Sequence, residues 1–416
     1  MNYPRSAYLH IPFCHRRCFY CDFPVVPLGD RAGTENGPGS SSVKSYLNLL
    51  HREISLAPKV ASLSTVYIGG GTPSILSADQ VANLLDHLRL HFGFQNGAEI
   101  SFEVDPASFD TFSLEGFLDA GVNRLSLGAQ SFDDKVLAQL GRRHTANDLL
   151  DACGWINQAF NERKLFSWSL DLIQNLPGQD LCSWEKQLLK ALDISPPHMS
   201  IYDLSIEKGT VFEWRQNRGE LSLPNEDDAS DMSKMTSDKL KQAGFSRYEI
   251  SNYALPGHAS RHNRVYWSGS GWWGFGQGAT SCPWGVRSSR PRTREKYKKW
   301  LEVQENDGLD KSLTLNNEGQ LIPLDELLIF GLRRREGIDF KELVSSFNWD
   351  ESQLEINLNN LKNYWANSLK EGLIKQRGYR FYLTDPHGMD LSNQILVDML
   401  LWYESLLNSS IDQPNL

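Results

Sequence analysis

The sequence predicts an α/β fold: a parallel sheet, curved as a partial (β/α)6 barrel or left open, followed by a smaller helical unit with a hairpin. Two observations predict it. Over about the first 250 residues, six short apolar or β-branched runs alternate with amphipathic stretches, the pattern of βα units paired in parallel. After about residue 318 that alternation stops and two helical patterns precede a hairpin pattern. Six units are too few for a complete eight-fold barrel. In either form of the sheet, ligands belong at the carboxyl ends of the strands.

The expected strands are AYLHI from Ala7, TVYIG from Thr65, ISFEV from Ile100, RLSLG from Arg124, SLDLI from Ser169 and MSIYDL from Met199. Helical patterns fall between them, among them VKSYLNLLHREI from Val43 and SADQVANLLDHLRLHF from Ser77, where Ser77 reads as an N-cap. Two stretches break the rhythm. Residues 28–42, LGDRAGTENGPGSSS, read as a mobile Gly/Ser loop. Residues 268–294, dense in Gly, Trp and Arg, read as irregular. Toward the C-terminus, LIPLDELLIFGLRRR and LNNLKNYWANSLKEG read as helices, LIKQRGYRFYLT as a hairpin turning near Arg377-Gly378, and a last helix starts near Leu391. Helices followed by a hairpin suggest a winged-helix-like unit. From Glu318 to Leu416, however, nine Lys/Arg face fifteen Asp/Glu, which argues against DNA reading.

The whole chain of 416 residues carries a net charge of −9, so nothing global draws it to a polyanion, and no nucleic-acid partner is expected. Three of its six cysteines lie within eight residues, unlike a secreted disulfide framework. The N-terminus lacks the charged and apolar regions of a secretory signal. No apolar run approaches the roughly 18–20 residues of a membrane span. A soluble, cytoplasmic protein is expected.

The chemistry begins at YLHIPFCHRRCFYCDF, which sets Cys14, Cys18 and Cys21 as C-x3-C-x2-C just after the first strand. Such a loop can wrap three thiolates around one inorganic unit. Zinc would want a fourth ligand, for which only His10 or His15 is near, at no usual zinc spacing. A 4Fe–4S cluster with three protein thiolates leaves one iron open to a further ligand. The second strand runs into Gly69-Gly70-Gly71-Thr72-Pro73, where bare backbone can approach a ligand closely. Glu103 and Gln130 end the third and fourth strands and Asp171 lies in the fifth, so each can face the ligand crevice. Arg142, in LGRRHT, could pair with a carboxylate.

The cysteine spacing, with Tyr20 before the third cysteine, resembles the radical S-adenosylmethionine (SAM) superfamily. The segments IPFCHRRCFYCDF, YIGGGTPS, FEVDP, RLSLGAQSF, GRRHT and DLIQNLPGQ resemble its oxygen-independent coproporphyrinogen III oxidase-like group over most of the chain. The resemblance implies a partial (β/α)6 TIM-like barrel over 1–260, an aromatic, Gly-rich and basic connection over 261–317, and a helical, winged C-terminal domain over 318–416. It also implies a 4Fe–4S cluster on Cys14, Cys18 and Cys21, with SAM chelating the open iron. The implied SAM contacts are Tyr8, Tyr20, Gly70, Gly71, Thr72, Glu103, Gln130, Arg142 and Asp171. A reduced cluster of this kind passes an electron to the sulfonium of SAM, releasing a 5′-deoxyadenosyl radical.

Two branches of the group differ at readable positions. True coproporphyrinogen dehydrogenases carry a further cysteine two residues after the third ligand and a longer N-terminal arm. Here that position is Phe23, and 13 residues precede Cys14. SRHNRVYW also matches the H-N-x-x-Y-W motif of the heme chaperone branch, HemW, with His262, Asn263, Tyr266 and Trp267. This branch implies heme binding and delivery to an acceptor hemoprotein, with the cluster serving dimerisation, peripheral membrane targeting or release. The oxidase branch would instead turn the propionates of coproporphyrinogen III into vinyl groups. His262 is the candidate axial heme ligand, since imidazole suits iron, against a histidine simply bonded within an aromatic loop. Cys282-Pro283 could offer a thiolate, although a buried cysteine is the plainer reading. Arg287, Arg290, Arg292, Arg294, Lys296, Lys298 and Lys299 form a basic run that could meet heme propionates or simply be solvated.

Overall fold

The computed structural model describes residues 3–29, 38–307, 322–344, 347 and 349–411. Each of the six expected strands forms: β1 (Ser6–Ile11), β2 (Leu63–Gly70), β3 (Phe94–Val104), β4 (Arg124–Gln130), β5 (Ser167–Gln174) and β6 (His198–Asp203). They pair in parallel and in chain order. Three short strands extend the edges: β7 (Ser246–Glu249), β8 (Asn252–Ala254) and β9 (Trp273–Phe275). The described sheet therefore has nine strands in the order β9-β1-β2-β3-β4-β5-β6-β8-β7. It is mostly parallel, with β8 antiparallel to both β6 and β7, and no pairing joins β9 to β7.

Alternation along the strands assigns the two faces. Val66, Ile68, Ile100, Phe102, Leu125, Leu127, Trp168, Leu170, Leu172, Met199 and Ile201 are buried in one continuous core beneath the helices. The intervening positions Tyr67, Ser101, Glu103, Ser126, Ser169, Asp171, Ser200 and Tyr202 line an internal cavity. The runs that looked interrupted by serine are thus strands with one dry and one polar face.

Helices cover the outer face. They are α1 (Pro38–Leu56), α2 (Ala78–Phe92), α3 (Thr111–Asp119), α5 (Ala146–Asn161), α6 (Leu181–Ile194) and α8 (Glu226–Gln242), while α4 (Asp134–Leu140) and α7 (Val211–Asn217) pack against Phe19 and Tyr20 of the loop after β1. Ser77 caps α2 as expected, its hydroxyl accepting from Gln80 N while the Gln80 side chain accepts from Ser77 N. Two loop expectations need correction. Of residues 28–42, the stretch from Pro38 onward is helix α1, and residues 30–37 lie outside the described part. Residues 268–294 contain strand β9, and Thr280–Ser281 pairs antiparallel with Ser288–Ser289. Trp273 and Phe275 are large enough to bury as a parallel edge beside β1, which Gly-rich composition concealed. Helices α9 (Arg261–Trp267) and α10 (Arg294–Asp307) flank this stretch, and Tyr297 and Leu301 of α10 join the main core.

A second core gathers Leu328, Phe340, Trp365, Phe381 and Trp402. It is built by α11 (Leu324–Leu332), α12 (Phe340–Val344), α13 (Glu351–Tyr364), α14 (Ala366–Lys370), α15 (His387–Asp390) and α16 (Ser392–Ile411) around a small sheet. The expected hairpin is Ile374–Arg377 against Arg380–Leu383, with Gly378 supplying a left-handed φ of 62° at the turn. Ile338–Asp339 adds a third strand. Main-chain bonds from Ile250 N to Arg333 O (2.9 Å) and from Arg335 N to Tyr248 O (3.0 Å) tie this part to the sheet edge. The Arg247–Asp390 ion pair at 2.6 Å adds to that junction. Among the described residues, no helix is long and apolar enough to cross a membrane.

Candidate functional site

A cavity of about 530 Å³ opens at the carboxyl ends of the parallel strands. The loop after β1 forms one wall with Cys14, Cys18, Tyr20 and Cys21. Bonds from distant elements hold this loop in place. Phe19 N donates to Leu140 O (3.0 Å), Leu28 N to Cys14 O (2.8 Å), and Arg16 Nε to Gly141 O (2.6 Å). Thr72 N donates to Phe13 O (2.6 Å) and Gly71 N to Ile11 O (2.8 Å), so the glycine-rich turn lies directly on the cysteine loop. A Cβ on Gly71 would come within 2.6 Å of Phe13 O and 2.9 Å of Cys14 Sγ. Only glycine admits this approach.

Burial pushes the Cys14 thiol up to about 12, against a hydrogen bond from Thr72 that lowers it, and burial also raises Cys21. Such thiols need a cation beside them to ionise. Among the described residues, no three His, Cys, Asp or Glu side chains converge on a single ion. The zinc alternative also loses His10, whose Nδ1 is bonded to Tyr8 OH (2.9 Å) and whose Nε2 lies 3.4 Å from Pro24 O. Three cysteines sharing one wall beside a glycine cradle suit a polynuclear unit better.

Around the cavity the polar strand-end groups are organised. Glu103 accepts from Tyr67 OH and from Gly70 N, both at 2.9 Å, and burial raises its carboxyl to about 7. Asp171 accepts from Ser126 and Ser169, both at 2.6 Å, and burial raises it as well. Arg142 bonds Asp105, Gly128 O (2.8 Å) and Cys18 Sγ (3.6 Å), linking the cysteine loop to β3 and β4. Its buried Nε has no partner, nor has the Ser101 hydroxyl. Gln130 holds a left-handed φ of 66° where the β4–β5 register shifts, a strained residue at the cavity rim.

Of the expected site residues, the three cysteines, Tyr20, Gly70, Gly71, Thr72, Glu103, Gln130, Arg142 and Asp171 all line the cavity. Tyr8 does not; it lies one layer behind, stacked on Tyr67 at 6.1 Å and bonded to His10. Sequence reasoning missed Tyr67, Asp105, Arg124, Ser126, Ser169, His198 and Ser200, all of which line it. The signal was serine at alternate positions inside apolar runs.

The radical SAM superfamily model matches residues 8–187. Over 403 residues the chain is 38% identical to the heme chaperone HemW of Synechocystis sp., covering 94% of this chain and 95% of that one. The chain belongs to the HemW family of radical SAM proteins. The HemW of Lactococcus lactis is 32% identical over 399 residues, covering 96% of this chain and 98% of that one. The coproporphyrinogen III oxidase HemN of Escherichia coli shares the fold, with a TM-score of 0.74 at 22% identity over 95% of this chain and 90% of that one.

The HemW-type H-N-x-x-Y-W motif lies in α9, and of its residues Asn263 reaches the cavity. His262 does not. It is fully buried, and burial lowers its pKa to about 3. Thr65 Oγ1 donates to Ser6 Oγ (2.9 Å), so it accepts from His262 Nδ1–H (2.8 Å). This leaves His262 Nε2 to accept from Tyr266 OH (2.9 Å). Neither ring nitrogen is open to iron, and the structural reading of this histidine prevails. Cys282 is likewise fully buried. The basic run does not form one surface: Arg290 pairs with Glu53 at 2.6 Å, both fully buried, Arg287 pairs with Glu326 (2.7 Å), and Arg292 bonds Asp22 O. Phe23, at the position that separates the two branches, is exposed at the cavity mouth.

Proposed function

We propose that this chain is a cytoplasmic heme-binding protein that carries a 4Fe–4S cluster and SAM in its barrel and delivers heme to an acceptor hemoprotein. The observation that carries this reading is identity of 38% along 94% of the chain to a heme chaperone. Phe23 at the branch-separating position supports it. Cys14, Cys18 and Cys21 would hold the cluster, and Arg142 would orient the Cys18 sulfur through its 3.6 Å contact. The cluster supplies an open iron and an electron source when bound. Glu103, already steadied by Tyr67 and Gly70 N, would receive the ammonium of SAM. Asp171, oriented by Ser126 and Ser169, would receive hydroxyls deeper in the cavity. Gly70, Gly71 and Thr72 would offer main chain to the amino-acid end, with Gln130 and Tyr20 at the rim and Tyr8 acting through Tyr67. Dimerisation or peripheral membrane attachment would then follow the state of the cluster.

The test pairs two measurements on one anaerobically reconstituted sample. Titration with heme should give a Soret band, and incubation with dithionite, SAM and coproporphyrinogen III should yield no protoporphyrinogen. Appearance of that product would make the chain an oxidase. Reconstituted wild type should be brown with about four irons per chain. Cys14→Ala, Cys18→Ala and Cys21→Ala should each abolish the colour. Stoichiometric zinc in place of iron would end the 4Fe–4S reading.

A further inference from the structure

On the outer face of the barrel, away from the cysteine cavity, α1 and α2 bring three histidines together. An open pocket of about 730 Å³ between these helices is lined by His51, Ser55, Lys59, Asp86, His87 and His91, among others. The His51 and His87 rings lie edge to edge, with centroids 4.8 Å apart and planes within 8° of parallel, and their Nδ1 atoms are 2.6 Å apart. One of those nitrogens must donate and the other accept.

The surrounding bonds assign the roles. The Ser55 hydroxyl donates to His51 O (3.0 Å), so it accepts from His87 Nε2–H (3.1 Å). A neutral His87 therefore presents its Nδ1 lone pair, and the proton between the rings is the one on His51 Nδ1. His91, one turn along α2 from His87, is fixed in the same way, its Nε2 donating to Ala57 O at 2.7 Å. An imidazole whose second nitrogen is tied to a protein oxygen, leaving the first as a lone pair, is the usual arrangement of a metal-bound histidine.

We propose that His51 and His87 form a surface clip for a divalent transition cation of the zinc or nickel class, distinct from the barrel cofactors. The ion takes the place of the shared proton. His51 moves that proton to its own Nε2, so both Nδ1 lone pairs meet the ion and no net proton is released. Metal–nitrogen bonds of about 2.0–2.1 Å at a tetrahedral angle place the two nitrogens roughly 3.3 Å apart. The two nitrogens would part by roughly 0.7 Å, and both rings would swing toward the open pocket so that their lone pairs converge on the ion. Among the described residues no third ligand converges, so water completes the shell.

The test uses the full chain with its cluster reconstituted, so that the three cysteines are occupied, and equilibrium dialysis against Zn²⁺ and, separately, Ni²⁺. Wild type should retain one equivalent beyond the cluster iron. His51→Ala and His87→Ala should each weaken retention at least tenfold, and Ser55→Ala, which frees the His87 tautomer, by a smaller factor of about ten or less. His387→Ala, on a remote helix, should bind as wild type does. Far-ultraviolet circular dichroism of each variant reports whether the helices persist. No extra equivalent in wild type, or equal retention by folded His51→Ala and His87→Ala, would overturn the proposal and leave the pair a structural hydrogen bond between two helices.

Discussion

At the scale of single residues, the same amino acid serves opposite ends according to what meets its second polar atom. Glu103 and Asp171 keep carboxylates in a cavity because hydroxyls and a main-chain N–H hold them there. His262 is spent on structure, with Thr65 and Tyr266 on its two nitrogens. We expect His262→Ala to cost stability, about 1–3 kcal/mol for the buried partners left unpaired, as read from urea midpoints. Its Soret maximum under folding conditions should stay where wild type has it. A displaced maximum in the folded variant would return His262 to the iron. The cysteine spacing was legible because thiolates in a tight loop have few other uses. The fate of His262 was not, because Thr65 and Ser6 lie far from it in sequence.

At the scale of elements, the turn after β2 carries the cysteine loop on its back. Gly71 is the tightest point, and a single methyl there presses on Phe13 O and Cys14 Sγ together. Gly71→Ala should therefore lower iron content after reconstitution by at least half while costing about 1–3 kcal/mol of stability. Iron analysis beside a thermal melt separates the two effects. Full iron loading in that variant would mean the turn yields and is no cradle. The six central strands were readable from their apolar runs, whereas the serines alternating within them mark the cavity wall only once the strands are paired. Strand β9 was not readable, because three residues among glycines carry too little periodicity, and its pairing with β1 comes from a distant part of the chain.

Across the whole molecule, the second core meets the sheet at β7, where Glu249 is buried and its main chain pairs antiparallel with that of Arg334. Asn252 Nδ2 donates to its Oε1 at 2.7 Å, yet burial still lifts its carboxyl to about 7. A folded pKa above the unfolded one stabilises the fold below the ordinary carboxylate range, and that contribution is lost as pH rises through about 7. Glu103 acts in the same sense. Glu249→Gln should therefore gain melting temperature relative to wild type as pH rises from about 5 to about 7. Parallel curves for the two proteins would show that the carboxyl ionises freely at the junction.

Local pattern alone determined the parallel α/β order, the cysteine trio and the strand-end carboxyls, since periodicity and ligand spacing are properties of neighbouring residues. Only the tertiary structure decided that the heme-branch histidine is sealed within the fold, that the arginine run is divided among separate partners, and that α1 and α2 set two imidazoles edge to edge. Those outcomes depend on which distant atoms arrive within hydrogen-bonding distance, and a linear pattern does not encode that.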